Sequence, residues 1–314
     1  MSLIIVEHRD TVVPTSINYS SRLNGQVISE LVRRYSFLQM GTIGKSVMEN
    51  EIPYLKIGEG PREVFYNASF HANEWITTPV LLKFAEDYAK AYEAGSNLFG
   101  VSADWLFRNF SLYLVPMVNP DGVNLVNGIL AEGEYYERAK QIAMNYPDIP
   151  FPEGWKANIE GIDLNLQFPA GWENAKEIKY AQGFDRPAPR DYVGEEPLAA
   201  PESRAVYEFT LEHDFELILA YHTQGEVIYW KYLDYEPENA YEIGRYFQLV
   251  SGYTLEETPQ ASGYAGYKDW FIMEYNRPGY TIEVGRGSNP LPIRQFEQIY
   301  EDNRLILLGG MTQL

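Results

Sequence analysis

The run Phe110-Ser-Leu-Tyr-Leu-Val-Pro-Met-Val118 constrains this chain more than any other stretch. A strand with one wet face alternates apolar and polar residues. This run is apolar almost throughout, so it predicts a central strand covered on both faces. Phe215-Glu-Leu-Ile-Leu-Ala-Tyr221 and Gly279-Tyr-Thr-Ile-Glu-Val284 also read as apolar strands. Further strands are expected at 52–58 and 62–70, parted by the turn Gly58-Glu-Gly-Pro61, and near 227–231. Helical spacing places Val27, Ile28, Leu31, Val32 and Tyr35 on one face from Gly25 onward, and Val80, Leu81, Phe84 and Tyr88 on one face of a helix over 75–93. Other helices are expected at 131–145, 202–213, 238–250, 267–275 and 294–308. Strands alternating with helices define an α/β fold: a single domain with a mixed, mostly parallel twisted sheet and helices on both faces. Such sheets place their chemistry beyond the carboxyl ends of the strands. Residues 1–20 are expected to be a lead-in segment and 21–314 the domain itself. Asn119-Pro-Asp-Gly122 reads as a turn, and the proline-rich stretch 184–201 as an ordered surface loop.

Composition narrows the chemistry. The 314 residues carry 25 Lys+Arg against 44 Asp+Glu, a formal charge of −19, which argues against a polyphosphate partner and so against nucleic acid. With 45% apolar and 15% aromatic residues the chain has enough material for a large core, which excludes intrinsic disorder. No stretch approaches the roughly 18 apolar residues of a membrane span, so no membrane insertion is expected. The absence of cysteine excludes disulfides, thiolate metal ligands and a Cys nucleophile. A bound metal must therefore use carboxylates and the four histidines His8, His71, His213 and His222.

Three signals converge on such a metal. In Ser69-Phe-His71-Ala-Asn-Glu74-Trp75, His71 follows a strand and Glu74 comes three residues later, where a helix should begin. At that spacing an imidazole and a carboxylate can face the same way, a pairing that suits zinc. The competing reading is a loop histidine beside a glutamate at a helix N-terminus. His222 sits just past the strand 215–221, at the edge where a third ligand belongs; a buried histidine bonded to backbone is the alternative. Glu283 lies inside an apolar strand, where a carboxylate is costly to bury without a partner or a task. Acting as a general base is one such task. A buried salt bridge is the other explanation. His8 and His213 have no supporting context.

These four residues, in this order, resemble the zinc carboxypeptidase family, over about residues 25–308. Asn119-Pro-Asp-Gly122 and Gly161-Ile-Asp-Leu-Asn165 resemble two of its motifs, and Gly266-Tyr-Lys-Asp-Trp270 resembles the segment lining its specificity pocket. The resemblance implies one Zn²⁺ per chain held by His71, Glu74 and His222, with Glu283 as the base. It implies Asp163 as the carboxylate that orients His71 and Asn165 as a substrate contact. Trp155-Lys156 stands where the family has Trp-Arg, so Lys156 is implied to stabilise the oxyanion as a point charge.

One departure decides the branch. The family's carboxylate-clamping arginine follows the Asn of the Gly161–Asn165 motif, and here that position is Leu166, which cannot bind an anion. The phrases SFHANEWITTPVL (69–81), GIDLNLQFPAGWE (161–173), AGYKDWF (265–271) and SNPLP (288–292) resemble the γ-D-glutamyl-L-diamino acid endopeptidases. That resemblance implies zinc-dependent hydrolysis of the γ-D-glutamyl–diamino acid bond (commonly meso-diaminopimelate) in bacterial peptidoglycan stem peptides. The partner is then a muropeptide or peptide substrate. Lys268 is implied at the pocket floor, where a cation favours a side-chain carboxylate. Arg277, Arg286 and a capping Tyr264 are further substrate-binding candidates. Three alternatives stay open: a conventional metallocarboxypeptidase with another anchor, a non-catalytic muropeptide-binding module and, as a weaker third, a related zinc deacylase acting on N-acyl amino acids. The start MSLIIVEHRD lacks a signal peptide, which gives a cytoplasmic expectation on the literal sequence. Trimming of an N-terminal region would make it a cell-wall or spore location instead.

Overall fold

The computed structural model describes residues 11–314, so His8 and the rest of residues 1–10 lie outside the described residues. The strands are β1 (Gln39–Lys45), β2 (Glu51–Ile57), β3 (Arg62–Ala68), β4 (Asn97–Leu98), β5 (Val101–Ser102), β6 (Phe110–Val115), β7 (Phe215–His222), β8 (Val227–Tyr229), β9 (Thr254–Glu256) and β10 (Gly279–Glu283). β4 and β5 pair with each other, and the remaining eight form one sheet in the order β1-β2-β6-β3-β7-β10-β8-β9. At its centre β6, β3, β7 and β10 run parallel, while β1–β2, β2–β6 and β10–β8 are antiparallel. This is the mixed, mostly parallel sheet that the sequence predicts.

Every residue of β6 is buried, as its composition requires. Leu112 and Leu114 join Val64, Tyr66, Leu217, Leu219 and Tyr221 in one core, closed by the helices Ser21–Arg34, Thr77–Glu93, Ala240–Ser251 and Phe296–Thr312. Tyr113 and Val115 face the other way, with Phe65, Ile218 and Ala220, under the helices Pro201–Leu211 and Tyr267–Tyr275. Strand residues thus alternate between two cores rather than between core and water. Among the described residues no helix is long and apolar enough to cross a membrane.

Several expectations change. The first helix starts at Ser21, not Gly25, because Ser20 caps it by accepting a hydrogen bond from the Leu23 amide. Val13 and Tyr19 are buried in the core, so the packed domain extends back into the expected lead-in. β1 was not foreseen: it is an edge strand with two glycines and no buried residue, and so carries no apolar alternation. The helices Ala103–Asn109 and Trp172–Ala181 also lie where none was expected. Asn119-Pro-Asp-Gly122 is the cap and first turn of a helix, Pro120–Val126, rather than a free turn. The stretch 184–201 is not confined to the surface: Ala188, Tyr192 and Val193 are buried.

The consequence for function lies in the register. β3, β7 and β10 are parallel neighbours, with Ala68 opposite Tyr221 and Glu283 opposite His222. Their carboxyl ends therefore open onto one edge of the sheet.

Candidate metal centre and active site

His71 and Glu74 come from the loop that leaves β3 and enters the helix Thr77–Glu93 through a single 3₁₀ turn, Ala72–Glu74. Hydroxyls pin this loop. Ser69 Oγ lies 3.0 Å from Thr77 Oγ1 and 2.9 Å from Thr78 Oγ1, and Thr77 donates to the Glu74 carbonyl at 2.8 Å. The Asn119 amide donates to the carbonyls of Phe70 and Ala157, both at 3.0 Å, joining the ligand loop to the segment bearing Lys156. Close approach there needs glycine at position 122, where a Cβ would come 2.7 Å from the Ala72 Cβ and 2.8 Å from the Ala157 carbonyl.

The structure brings His71, Glu74 and His222 together, with their ligand atoms all within 4.8 Å of one another. His71 Nδ1 lies 2.9 Å from Glu74 Oε1, and His222 Nδ1 lies 3.1 Å from Glu74 Oε2 and 3.3 Å from His71 Nδ1. The opposite nitrogen of His71, Nε2, faces Asp163 Oδ1 at 3.1 Å. When that nitrogen donates to Asp163, contact between Nδ1 and Glu74 needs a positive charge between them, since two acceptors that close repel. Without metal that charge is a proton: burial alone would lower the His71 pKa, but the charges of Glu74 and Asp163 outweigh burial and push it up to about 9. A bound metal would take that proton's place. Lys156 answers part of this demand by placing its ammonium 2.7 Å from Glu74 Oε1. Two imidazoles and one carboxylate, buried, convergent and backed by Asp163, fit a zinc ion.

Asp163 takes hydrogen bonds from His71 and, through Oδ2, from the Asp191 amide at 3.0 Å. Burial alone would raise its pKa, but the positive charge on His71 and these bonds outweigh burial and hold it below the usual range. Glu283 is the opposite case. It is the last residue of β10, half-buried at the cavity wall rather than in mid-strand. Burial, reinforced by the Glu74 charge, pushes its pKa up to about 8. No hydrogen bond reaches its carboxylate among the described residues, so it is free to exchange a proton.

The other sequence-derived candidates divide. Asn165 borders the cavity, with its Oδ1 accepting from the Tyr267 amide. Leu166 is buried among Trp172, Ala175, Val193 and Ala265, which leaves no anion site at that position. Lys268 reaches the cavity wall, but its ammonium donates to the Lys231 carbonyl and the Thr258 hydroxyl and pairs with Asp269 at 2.6 Å. Tyr264 packs over Gly171 and beside Tyr232, in a groove adjoining the cavity rather than in its wall. Arg277 is not brought to the site: it precedes β10 at the far end from Glu283 and pairs with Asp214. Arg286 is exposed, pairs with Glu226 and borders neither the cavity nor the outer cleft. His213 lies 3.2 Å from Glu63, away from the centre.

Sequence reasoning missed Arg190, Asp191 and Lys179, which also border the cavity. The available signal was the Pro-Arg-Asp triplet in a stretch whose prolines imply order.

The chain belongs to the zinc carboxypeptidase family, which it matches over residues 25–306. It is 46% identical to "Gamma-D-glutamyl-L-diamino acid endopeptidase 1" of Lysinibacillus sphaericus, over 94% of this chain and 72% of that protein. It is 43% identical to "Uncharacterized protein YqgT" of Bacillus subtilis (strain 168), over 89% of this chain and 73% of that one. Its fold resembles the crystal structure of thrombin activatable fibrinolysis inhibitor, with a TM-score of 0.75 at 17% identity, covering 98% of this chain and 78% of the other.

Proposed function

We propose that this zinc peptidase hydrolyses the amide between D-glutamate, through its γ-carboxyl, and the diamino acid of bacterial peptidoglycan stem peptides. The observation that carries this reading is the 46% identity, across 94% of the chain, to a protein named for that activity. Leu166 supports it, because burial in an apolar cluster removes the anion clamp of an ordinary carboxypeptidase from that position.

His71, Glu74 and His222 would hold the metal, and Asp163 fixes the ring of His71. Zinc bound there supplies a Lewis acid and acidifies water. Glu283 takes a proton at its carboxylate from the attacking water and returns it to the departing amine nitrogen. The Lys156 ammonium stabilises negative charge on the scissile carbonyl oxygen.

The test incubates zinc-loaded protein with L-Ala-γ-D-Glu-meso-diaminopimelate and, separately, with a peptide ending in Phe, with and without chelator. The expected result is chelator-sensitive release of free diaminopimelate, with the Phe peptide intact. Cleavage of the Phe peptide alone would replace this reading with a conventional metallocarboxypeptidase. Stoichiometric zinc without cleavage of either would favour a muropeptide-binding module.

A further inference from the structure

Four cationic side chains border the cavity: Lys156, Lys179, Arg190 and Lys268. Lys179 and Lys268 are engaged inside the protein: Lys179 pairs with Asp191 at 2.6 Å, and Lys268 with Asp269 at 2.6 Å while also bonding Lys231 and Thr258. Lys156, which lies 2.7 Å from Glu74, already has its task at the scissile carbonyl oxygen. Arg190 differs. Its Nε donates to Asp191 Oδ2, and among the described residues no hydrogen bond engages its two terminal nitrogens. The side chain is 43% exposed, so those nitrogens are open to a ligand.

The guanidinium is also held in place. Asp191 receives Lys179 on its other oxygen, and its amide donates to Asp163, the carboxylate behind His71. The preceding carbonyl, of Pro189, accepts from the amides of Lys156 and Ala157 at 2.7 and 2.9 Å. Arg190 is thereby fixed on both sides to the segments that build the metal centre. A guanidinium anchored through Nε presents its Nη edge as a planar fork, which matches a carboxylate in a way an ammonium cannot.

Its location follows from the shape of the site. An inner cavity reaches Lys268 and Asp269, and an outer cleft runs past Asn73 and Asn289. Arg190, Lys156, Tyr229 and Glu283 border both. A substrate whose amide meets Glu283 and Lys156 must cross that junction, so Arg190 stands beside the bond to be cut. The formal charge of −19 makes the need plain, since such a chain repels an anionic peptide unless a local cation receives it.

We infer that Arg190 is the specificity-determining anchor for a substrate carboxylate flanking the scissile amide, in place of the clamp that Leu166 cannot provide. The inference rests on the γ-D-glutamyl–diamino acid reading, whose substrate offers a carboxylate on each side of that amide: the α-carboxylate of D-glutamate and that of the leaving residue.

The experiment uses three substrates: L-Ala-γ-D-Glu-meso-diaminopimelate, the same peptide with the glutamyl α-carboxylate as carboxamide, and the same peptide with the leaving residue's α-carboxylate as carboxamide. Each is measured with the wild type, Arg190→Gln and Arg190→Lys for kcat/KM, and for Kd in a Glu283→Gln background. The wild type is expected to lose roughly 10- to 100-fold on one carboxamide, which identifies the carboxylate bound. In Arg190→Gln that discrimination collapses to near unity, with zinc content and Tm unchanged, and Arg190→Lys restores it only in part. Discrimination that survives in Arg190→Gln would overturn the inference. So would an equal loss on all three substrates accompanied by loss of zinc, since that marks a purely structural role. If the wild type cleaves none of the three, the γ-glutamyl reading itself fails. Arg190 is then judged by the same ratio on a C-terminal-Phe peptide against its C-terminal amide.

Discussion

The two halves of the site are built by different means. His222 and Glu283 end two parallel neighbouring strands, in a register that sets them opposite each other, and His71 follows the third on a short loop pinned by Ser69, Thr77 and Asn119. Lys156, Asp163, Arg190 and Asp191 stand on irregular chain between residues 155 and 193, placed by hydrogen bonds between segments far apart in sequence. The strand-end half cannot shift without shearing the sheet. The loop half depends on a few polar contacts, such as Lys156 and Ala157 to Pro189, or Asp191 to Asp163. Proton transfer therefore belongs to the rigid half, and orientation of metal and substrate to the half that single side chains can loosen.

The largest effect that tests this division is expected at Glu283. Glu283→Gln should lower kcat by about 10²- to 10⁴-fold while zinc content stays stoichiometric, because it removes the base without touching a ligand. Steady-state kinetics beside metal analysis checks it, and loss of zinc would show that the strand ends are not independent of the donor set.

Asp163 comes next. Asp163→Asn weakens both the acceptor for His71 and the tie to Asp191, so zinc affinity or activity should fall roughly 10- to 100-fold. Competition with a chelator reads the affinity. An unchanged affinity would mean that the loop half does not orient the ring.

The smallest effect concerns Glu202, a buried carboxylate joining the loop half to the turn between β1 and β2. It accepts from the Val47 amide and from the Asn158 side chain, whose Oδ1 in turn holds the amides of Glu160 and Ile162. Burial pushes its pKa from 4.5 up to about 7. A folded state that holds this proton more tightly than the unfolded chain loses stability as pH rises from near 4.5 to near 7, then levels off. That loss is on the order of 3 kcal/mol. Glu202→Gln should flatten the slope and raise Tm above pH 7, less about 1 kcal/mol for the bond from Asn158 that an amide nitrogen cannot accept. Melting curves from pH 4 to 9 measure it, and an undiminished slope in the variant would place the sensitivity elsewhere.

Glu202 and Glu283 also show why a raised pKa does not by itself mark a site. Burial drives both, yet Glu202 is held by donors while Glu283 has none and borders the cavity. Most of the sheet was legible in advance, because β6, β7 and β10 are runs whose local composition demands double coverage. β1 was not, since an exposed edge strand has no such demand to reveal. The metal ligands were legible because His71 and Glu74 are close in sequence and His222 closes an apolar strand. Arg190 was not, since the prolines around Pro189-Arg190-Asp191 imply an ordered segment but do not say that its arginine faces a substrate.

By itself, then, the sequence determined the parallel core, the histidine–carboxylate donor set and the lack of an anion clamp at Leu166. The core follows from residue type, the donor set from residue type together with the family resemblance, and the missing clamp from the resemblance, which marks position 166 as the one to inspect. Only the tertiary structure decided which cations remain available to a substrate. Lys268, expected at the pocket floor, is engaged by Asp269, Lys231 and Thr258, while Arg190 keeps its terminal nitrogens open. The physical reason is that a charge is free or engaged according to partners that folding brings from distant segments, as Lys156 meets Glu74 from 82 residues away.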